Sequence, residues 1–364
     1  MTIKKKVSVA MIGGSQKMNV ELNRHSCAVS FFDVHSIIKN HKFKIGNFDL
    51  SSLHTMILSC SYDYSCLLDL FKKFVTDKDI IVMNMTNFLH PDWVIENLSN
   101  KTLIYACIDD PFTSYSRTSG SLFAYHGVFH FSVGYDENFL MHEKIKQWGV
   151  QDTHFWPPTD MKFGHYNEDF YARVESSFNN RKNFMTYVGL LYGPKFDRLV
   201  SIKRKLGHDL EIYGRWPFGG YAGYLGPLKG RKFLPQRVKA LSDDERTDVY
   251  LSTLSSLNMH LSEDAREFGN MRVFETIRHG MLLVSDKGSK NSHELIFEDG
   301  KDAVFYDNET DLFEKIDYLK NNRNEALDIA MRGFQLAKSK YDVVKNLKEF
   351  LDWCIRLKEK NMGA

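Results

Sequence analysis

Short apolar runs alternate with mixed segments along the first half of the chain. The apolar runs are rich in β-branched residues, and two of the mixed segments between them, 66–74 and 137–148, have a helical pattern. This alternation predicts βαβ units whose strands form a parallel sheet. The predicted strands are residues 7–12, 55–59, 80–84, 102–108 and 128–133.

A second alternating series begins at residue 184, and helical patterns at 195–206 and 311–321 separate its apolar runs. A long helical pattern follows at 324–360, with a predicted break near Gly333 or at Tyr341-Asp342. The predicted strands of this half are residues 184–188, 210–213, 254–261, 281–285 and 303–306.

The two series predict an α/β fold class, with two Rossmann-like, doubly wound domains that face each other across a cleft. We expect the first domain at 1–165, an interdomain linker at 166–183 and the second domain at 184–335. Residues 336–364 are predicted to form a helix that packs back toward the first domain.

Composition narrows the class of protein. At 364 residues and 43% hydrophobic content, the chain is long enough to bury two cores. Its formal net charge of +2 gives no global field that points to nucleic acid or to a membrane. The cysteines are odd in number and form no CxxC pair, which is typical of reduced thiols. Reduced thiols indicate a cytoplasmic protein. No apolar run approaches the roughly 20 residues of a membrane span, so we expect no integral membrane segment.

The segment from residue 267 to residue 280 carries the strongest candidate chemistry. Glu267 and Glu275 bracket a Gly269-Asn270 turn and Arg272, at the start of a predicted helix. A helix N-terminus binds phosphate, a guanidinium can pair with its charge, and carboxylates can accept hydrogen bonds from sugar hydroxyls. This order of residues predicts a sugar-nucleotide site.

Each of these side chains also has a structural interpretation. Glu275 could be a surface residue of an amphipathic helix, and Glu267 could be a first-turn acid that interacts with the helix dipole. Arg272 could form a salt bridge within its own helix, with Asp264 or Glu267. The residues alone leave these alternatives open.

Two further glycine loops of the second half follow predicted strands. Gly189 precedes a helix that carries Lys195 and Arg198, and these cations could reach the same phosphates. Gly214-Arg215 could line a nucleotide pocket at the end of the next strand. The surrounding segment 195–239 is locally basic, which is typical of a solvated helix face, a nucleotide pocket or the binding of a polyanion such as DNA.

Two pairs of residues in the first half follow predicted strands. Asp109-Asp110 could deprotonate an acceptor hydroxyl, or could form a turn before a proline. Gly13-Gly14 forms a tight turn that could contact a ligand. The histidines have no HExxH or other convincing metal-ligand spacing, and no DxD element is present, so the sequence predicts no essential metal site.

Three stretches of the second half resemble a known family: Asn270-x-Arg272-x-Phe274-Glu275, then residues 279–286 and 294–306. Over residues 184–335 the sequence is similar to the C-terminal domain of GT-B glycosyltransferases, and most similar to the CgeB-like spore-maturation group. More distantly, it resembles phage DNA glucosyltransferases. The His279-Gly280-Met281 stretch departs from many members of the family, which have small residues there.

The resemblance implies a glycosyltransferase whose second domain binds a nucleotide-sugar, with a UDP-sugar as the expected donor, and whose first domain binds the acceptor. It implies that Glu275 holds the ribose and that Glu267 lies near the donor sugar and diphosphate, in the E-x7-E spacing of retaining enzymes. The expected acceptor is a hydroxyl of a glycan, a protein or a small molecule, and DNA is an alternative. If the reaction inverts the anomeric centre, Asp110 or Asp109 is the expected base. A second alternative is a sugar-nucleotide-binding scaffold without transfer activity.

Overall fold

The computed structural model describes thirteen stretches of the chain. They are residues 7–12, 27–32, 61–83, 89, 91–107, 124–130, 143, 145–157, 166–190, 193–215, 238–260, 271–287 and 296–362.

The first half forms a six-stranded sheet in which every neighbouring pair is parallel. Its strand order is β2-β1-β3-β4-β5-β6. The strands are β1 (Val7–Ile12), β2 (Cys27–Phe32), β3 (Ile80–Met83), β4 (Thr102–Cys107), β5 (Gly127–His130) and β6 (Asp152–Phe155). Two described helices, α1 (Ser61–Val75) and α2 (Pro91–Leu98), connect β2 to β3 and β3 to β4. All four residues of β3 are buried, as expected for a strand covered on both faces.

The second half forms a five-stranded, entirely parallel sheet of order β11-β10-β9-β7-β8. Its strands are β7 (Asn183–Leu190), β8 (Leu210–Arg215), β9 (Thr253–Asn258), β10 (Leu282–Asp286) and β11 (Val304–Tyr306). The two parallel sheets and their connecting helices confirm the predicted fold class. The order of β7, β9 and β10 brings the carboxyl ends of three neighbouring strands to one edge.

The second half contains seven described helices, α3 to α9. They are α3 (Glu168–Ser177), α4 (Gly193–Leu206), α5 (Asp243–Ser252), α6 (Met271–Arg278), α7 (Glu309–Asn321), α8 (Arg323–Ser339) and α9 (Val343–Met362). Local sequence sets their ends: Ser242 and Glu245 form a capping box before α5, and the Asn308 side chain accepts from two backbone N–H groups of α7. The predicted break of the tail at Tyr341-Asp342 is confirmed, and Gly333 lies inside α8.

Segment 166–183, which the sequence analysis assigns to a linker, is largely helical. It contains α3, which buries Phe170, Tyr171 and Val174. The spacing of these three residues is 1 and 3, so the apolar stripe is short and lies among polar residues.

Helix α9 packs on the first sheet, against β4 and β6. The Trp353 indole N–H donates to Asp152 Oδ2 at 2.9 Å, and Lys358 Nζ lies 3.0 Å from Asp79 Oδ1. The contact with β5 is equally close, since a Cβ on Gly127 would lie 2.5 Å from Leu357 Cδ2. Residues of α9 therefore complete the packing of the first sheet, although they follow the whole second sheet in sequence.

Candidate functional site

Arg272 lies in the first turn of α6, at the carboxyl edge of the second sheet. Its Nε donates to the carbonyl of Val188, and its Nη1 lies 3.5 Å from Asn258 Oδ1. Its guanidinium carbon also lies 4.6 Å from the centre of the Tyr187 ring, within the range of a cation–π contact. These contacts at the ends of β7 and β9 hold a half-buried cation where parallel sheets bind their ligands.

Gly189 and Gly214 create the space for this arginine. A Cβ on Gly189 would lie only 1.9 Å from Arg272 Nη2, so no larger residue can occupy this position with Arg272 where it is. Gly214 has a φ of +156°, and a Cβ there would lie 1.8 Å from the Gly189 carbonyl oxygen. Gly189 was expected near phosphate and Gly214 in a nucleotide pocket; in the structure they bring β7, β8 and a guanidinium together.

Arg198, on α4, lies at the same edge and is paired with Asp286. The distance from Arg198 Nη1 to Asp286 Oδ2 is 3.3 Å. Asp286 ends β10, and its two carboxylate oxygens each lie 3.0 Å from the backbone N–H of His260. The His260 ring adds a third contact, with Nδ1 2.7 Å from Asp286 Oδ1.

The pKa of Asp286 is lowered by this arrangement. Burial acts in the opposite direction and raises it, but the hydrogen bonds from the ring and backbone of His260 and the Arg198 guanidinium outweigh the burial. Asp286 is therefore ionised at neutral pH. Neither Asp286 nor His260 is among the site residues predicted from the sequence.

A buried polar chain connects the two arginines. Asn258 is near Arg272, and its Nδ2 donates to Ser285 Oγ at 2.9 Å. Ser285 Oγ donates in turn to the backbone carbonyl of Asp286, the partner of Arg198. Both Asn258 and Ser285 are fully buried, so the residues that end β9 and β10 form one hydrogen-bonded unit with a cation at each end.

Glu275 lies in the interior between α6 and α5. Its Oε1 is 3.0 Å from Arg246 Nε, and its Oε2 accepts from the Tyr250 hydroxyl at 3.3 Å. The side chain is 5% exposed, so the alternative of a surface glutamate is wrong. The ribose contact that the resemblance implies stays a prediction. The sequence did not reveal Arg246 as a partner of Glu275.

More cationic side chains are buried around this pair. Arg181 donates to the carbonyls of Thr253 and His279, each at 2.7 Å, and burial lowers its pKa to about 10. Arg278 is fully buried and donates to the Tyr341 carbonyl. Burial also lowers the pKa of His279 to about 3, so this imidazole is neutral at pH 7. Its Nδ1 lies 2.7 Å from the Glu275 carbonyl oxygen.

The other predicted site residues divide into two groups. Lys195 is half-buried in the first turn of α4, and Arg215 ends β8, where only its backbone is described. Seven lie outside the described residues: Gly13, Gly14, Asp109, Asp110, Glu267, Gly269 and Asn270.

Part of the basic segment 195–239 has a structural role. Lys203 is buried and donates to the carbonyl of Gly207 at 2.8 Å and to that of Leu210, which satisfies acceptors at the end of α4. This cation is therefore not available to a polyanion.

The described part of the chain contains no group of three or more His, Cys, Asp or Glu residues that could hold a metal ion. Within the same residues, no helix is long and apolar enough to cross a membrane.

Comparison with known proteins identifies the fold. Residues 197–352 match the sequence model of a family described as glycosyl transferase-like. No curated protein matches the chain by sequence. Solved structures match it along nearly its whole length, and they show that its fold is that of the GT-B glycosyltransferases.

Three of these structures illustrate the likeness. HepE from Anabaena, solved with UDP-glucose, is 13% identical over 98% of this chain and 100% of its own, with a TM-score of 0.58. Sucrose-phosphate synthase from Thermosynechococcus elongatus is 11% identical over 96% of this chain and 99% of its own, with a TM-score of 0.61. T4 phage BGT, solved with UDP and Mn²⁺, is 11% identical over 96% of this chain and 99% of its own, with a TM-score of 0.52. The narrower resemblance to the CgeB-like group stays a prediction.

Proposed function

We propose that this protein is a glycosyltransferase that moves a sugar from a nucleotide-sugar donor to a hydroxyl group of an acceptor. The observation that carries the proposal is the pair of cations, Arg198 and Arg272, held at the carboxyl edge of the second sheet. A nucleoside diphosphate departs when the glycosidic bond breaks, so fixed cations at this edge would stabilise the developing charge. Both arginines lie within the segment that matches the glycosyl transferase-like family.

A UDP-sugar is the proposed donor. HepE was solved with UDP-glucose and T4 phage BGT with UDP, and this chain shares their fold. The ribose would lie near α6, because the E-x7-E resemblance implies that Glu275 binds the ribose. That carboxylate has lone pairs beyond the two that Arg246 and Tyr250 engage, so it could accept ribose hydroxyls as well.

The first domain is the proposed acceptor-binding domain, and closure of the cleft would exclude water from the reaction. The E-x7-E spacing favours a retaining reaction, in which the departing phosphate receives the acceptor proton. In an inverting reaction, Asp110 or Asp109 would be the base. The anomeric configuration of the product, measured by NMR, decides between these two mechanisms.

Binding of nucleotides tests the class. We expect a thermal-shift panel of UDP, GDP, CDP, ADP and dTDP to show stabilisation by at least one of them, with UDP first. Arg272→Gln should weaken binding of UDP about tenfold or more, because charge-assisted hydrogen bonds are lost. Lys320→Gln is the matched control: it removes a cation whose partner, Asp209, directly precedes β8 at the opposite edge of the sheet. Equal binding by wild type and Arg272→Gln would contradict the assigned role.

Two alternatives are tested by the same preparation. The more distant resemblance to phage DNA glucosyltransferases keeps DNA as a second candidate acceptor. A gel shift with modified-base DNA, and its salt dependence, tests that acceptor. If UDP binds but neither hydrolysis nor transfer of a UDP-sugar occurs with any acceptor, the protein is a sugar-nucleotide-binding scaffold. Turnover in EDTA tests the predicted independence of metal.

A further inference from the structure

Asp286 and His260 lie on neighbouring strand ends but far apart in sequence. β9 and β10 pair so that Ser285 is opposite Asn258, which places the last residue of β10 beside the residues that follow β9. His260 contacts the Asp286 carboxylate with both its backbone N–H and its ring. Because one residue contacts the carboxylate at two places, neither side chain can rotate without losing a contact.

The charge state of Asp286 fixes the proton on the imidazole. An ionised carboxylate can only accept hydrogen bonds, so the His260 nitrogen that faces it, Nδ1, must carry a proton. The pair is thus a donor and an acceptor in defined orientations, 2.7 Å apart. The side chain of His260 is 2% exposed and that of Asp286 is 11% exposed.

Arg198 is the outer member of this group. Its side chain is 29% exposed, and among the described residues Asp286 is the partner that holds its guanidinium, at 3.3 Å. A guanidinium has five N–H donors in a rigid plane, so one contact with a carboxylate orients the others. The series from His260 to Asp286 to Arg198 therefore runs from the interior to the edge where a ligand would bind.

We propose that Asp286, locked by His260, is a positioning residue that orients Arg198 toward the diphosphate of the nucleotide-sugar. This inference rests on the proposed function, and it assigns a role to two residues for that same site. Asp286 and His260 act through the guanidinium and touch no reacting atom. Without Asp286, the Arg198 side chain would keep its charge but would adopt several rotamers. Binding of the phosphates would then have to order this side chain, and the entropy cost would weaken the interaction.

The test compares calorimetric affinities for UDP and for uridine, which lacks the phosphates. Arg198→Gln should lower the affinity for UDP about tenfold or more and leave that for uridine unchanged. Asp286→Asn and His260→Ala should each lower the affinity for UDP several-fold, again without an effect on uridine. His260→Asn, whose amide can donate from nearly the place of Nδ1, should retain most of the wild-type affinity. Lys320→Gln should match the wild type for both ligands.

A double-mutant cycle completes the test, because a positioning residue has no effect once the residue that it positions is gone. In the Arg198→Gln background, Asp286→Asn should cause no further loss of affinity for UDP. Equal losses for UDP and uridine, unchanged affinity in both Asp286→Asn and His260→Ala, or additive losses in the double variant would each overturn the inference while the proposed function stands. A wild-type protein that binds neither UDP nor any other nucleoside diphosphate would overturn both. Thermal melting of each variant shows whether it is folded. If Asp286→Asn is not, the comparison of His260→Ala with His260→Asn carries the test, because only the first should lower the affinity for UDP.

Discussion

Replacing Glu275 with alanine removes the carboxylate that joins α6 to α5 and leaves Arg246 in the interior without this partner. The two side chains are 5% and 16% exposed, and a hydrogen bond from Tyr250 is lost as well. Breaking a buried ion pair on one side costs about 3–5 kcal/mol. Because some water reaches Arg246, we expect the lower end, about 3 kcal/mol.

Thermal melting and urea denaturation of the purified variant measure this cost. For a domain of this size, about 3 kcal/mol lowers the melting temperature by roughly 6–12 °C. A double variant, Glu275→Met with Arg246→Met, should recover most of the stability, because apolar side chains replace both charges. Melting of Glu275→Ala at the wild-type temperature would refute the assignment of a buried ion pair.

Nucleotide binding separates the two roles of this residue. If Glu275 also holds the ribose, Glu275→Ala should lose more affinity for UDP than for 2′-deoxy-UDP. An equal loss for both ligands would assign the carboxylate to helix packing alone and would contradict the role that the resemblance implies.

Three further predictions follow from single residues. Gly189→Ala should displace the Arg272 guanidinium and weaken binding of UDP about as much as Arg272→Gln; calorimetry compares the two. The His279 imidazole has a folded pKa of about 3, below the unfolded value of about 6.5, so its stabilising contribution is complete above pH 6.5 and falls as pH drops toward 3. Urea denaturation should show about 2 kcal/mol less stability at pH 5 than at pH 7, a difference that His279→Gln should reduce. Trp353→Ala should destabilise the first sheet by about 3–5 kcal/mol, measured by urea denaturation, because this indole is 3% exposed. An unchanged urea midpoint in Trp353→Ala would contradict the packing role of this indole. Equal stability at pH 5 and pH 7 would contradict the lowered pKa of the buried His279 imidazole.

The sequence allowed several strands to be predicted because parallel strands covered on both faces are continuous apolar runs. β3 and β10 are examples, and each has every residue buried. Helix α5 was not predicted, since five of its ten residues are charged. Only two of the ten, Thr247 and Tyr250, are buried. A signal was present, however: the Ser242 and Glu245 spacing is that of a capping box.

The site was predictable where its chemistry is local in sequence. Arg272, Gly189 and Gly214 were identified as candidates, and the structure brings these three together. The pairing of His260 with Asp286 was not predicted, because it depends on the register of two strands and spans 26 residues of sequence. The contact of Glu275 with Arg246 depends in the same way on the packing of two helices, which periodicity does not reveal.

The position of α9 has a consequence for synthesis of the protein. Its residues cover β4, β5 and β6, yet the ribosome makes them only after the entire second sheet. The apolar surface around Gly127 therefore stays exposed to water or to a chaperone while about two hundred more residues are translated. In a circular permutant with residues 343–362 ahead of β1, the first sheet could be covered as soon as it is synthesised, and this variant should aggregate less during expression.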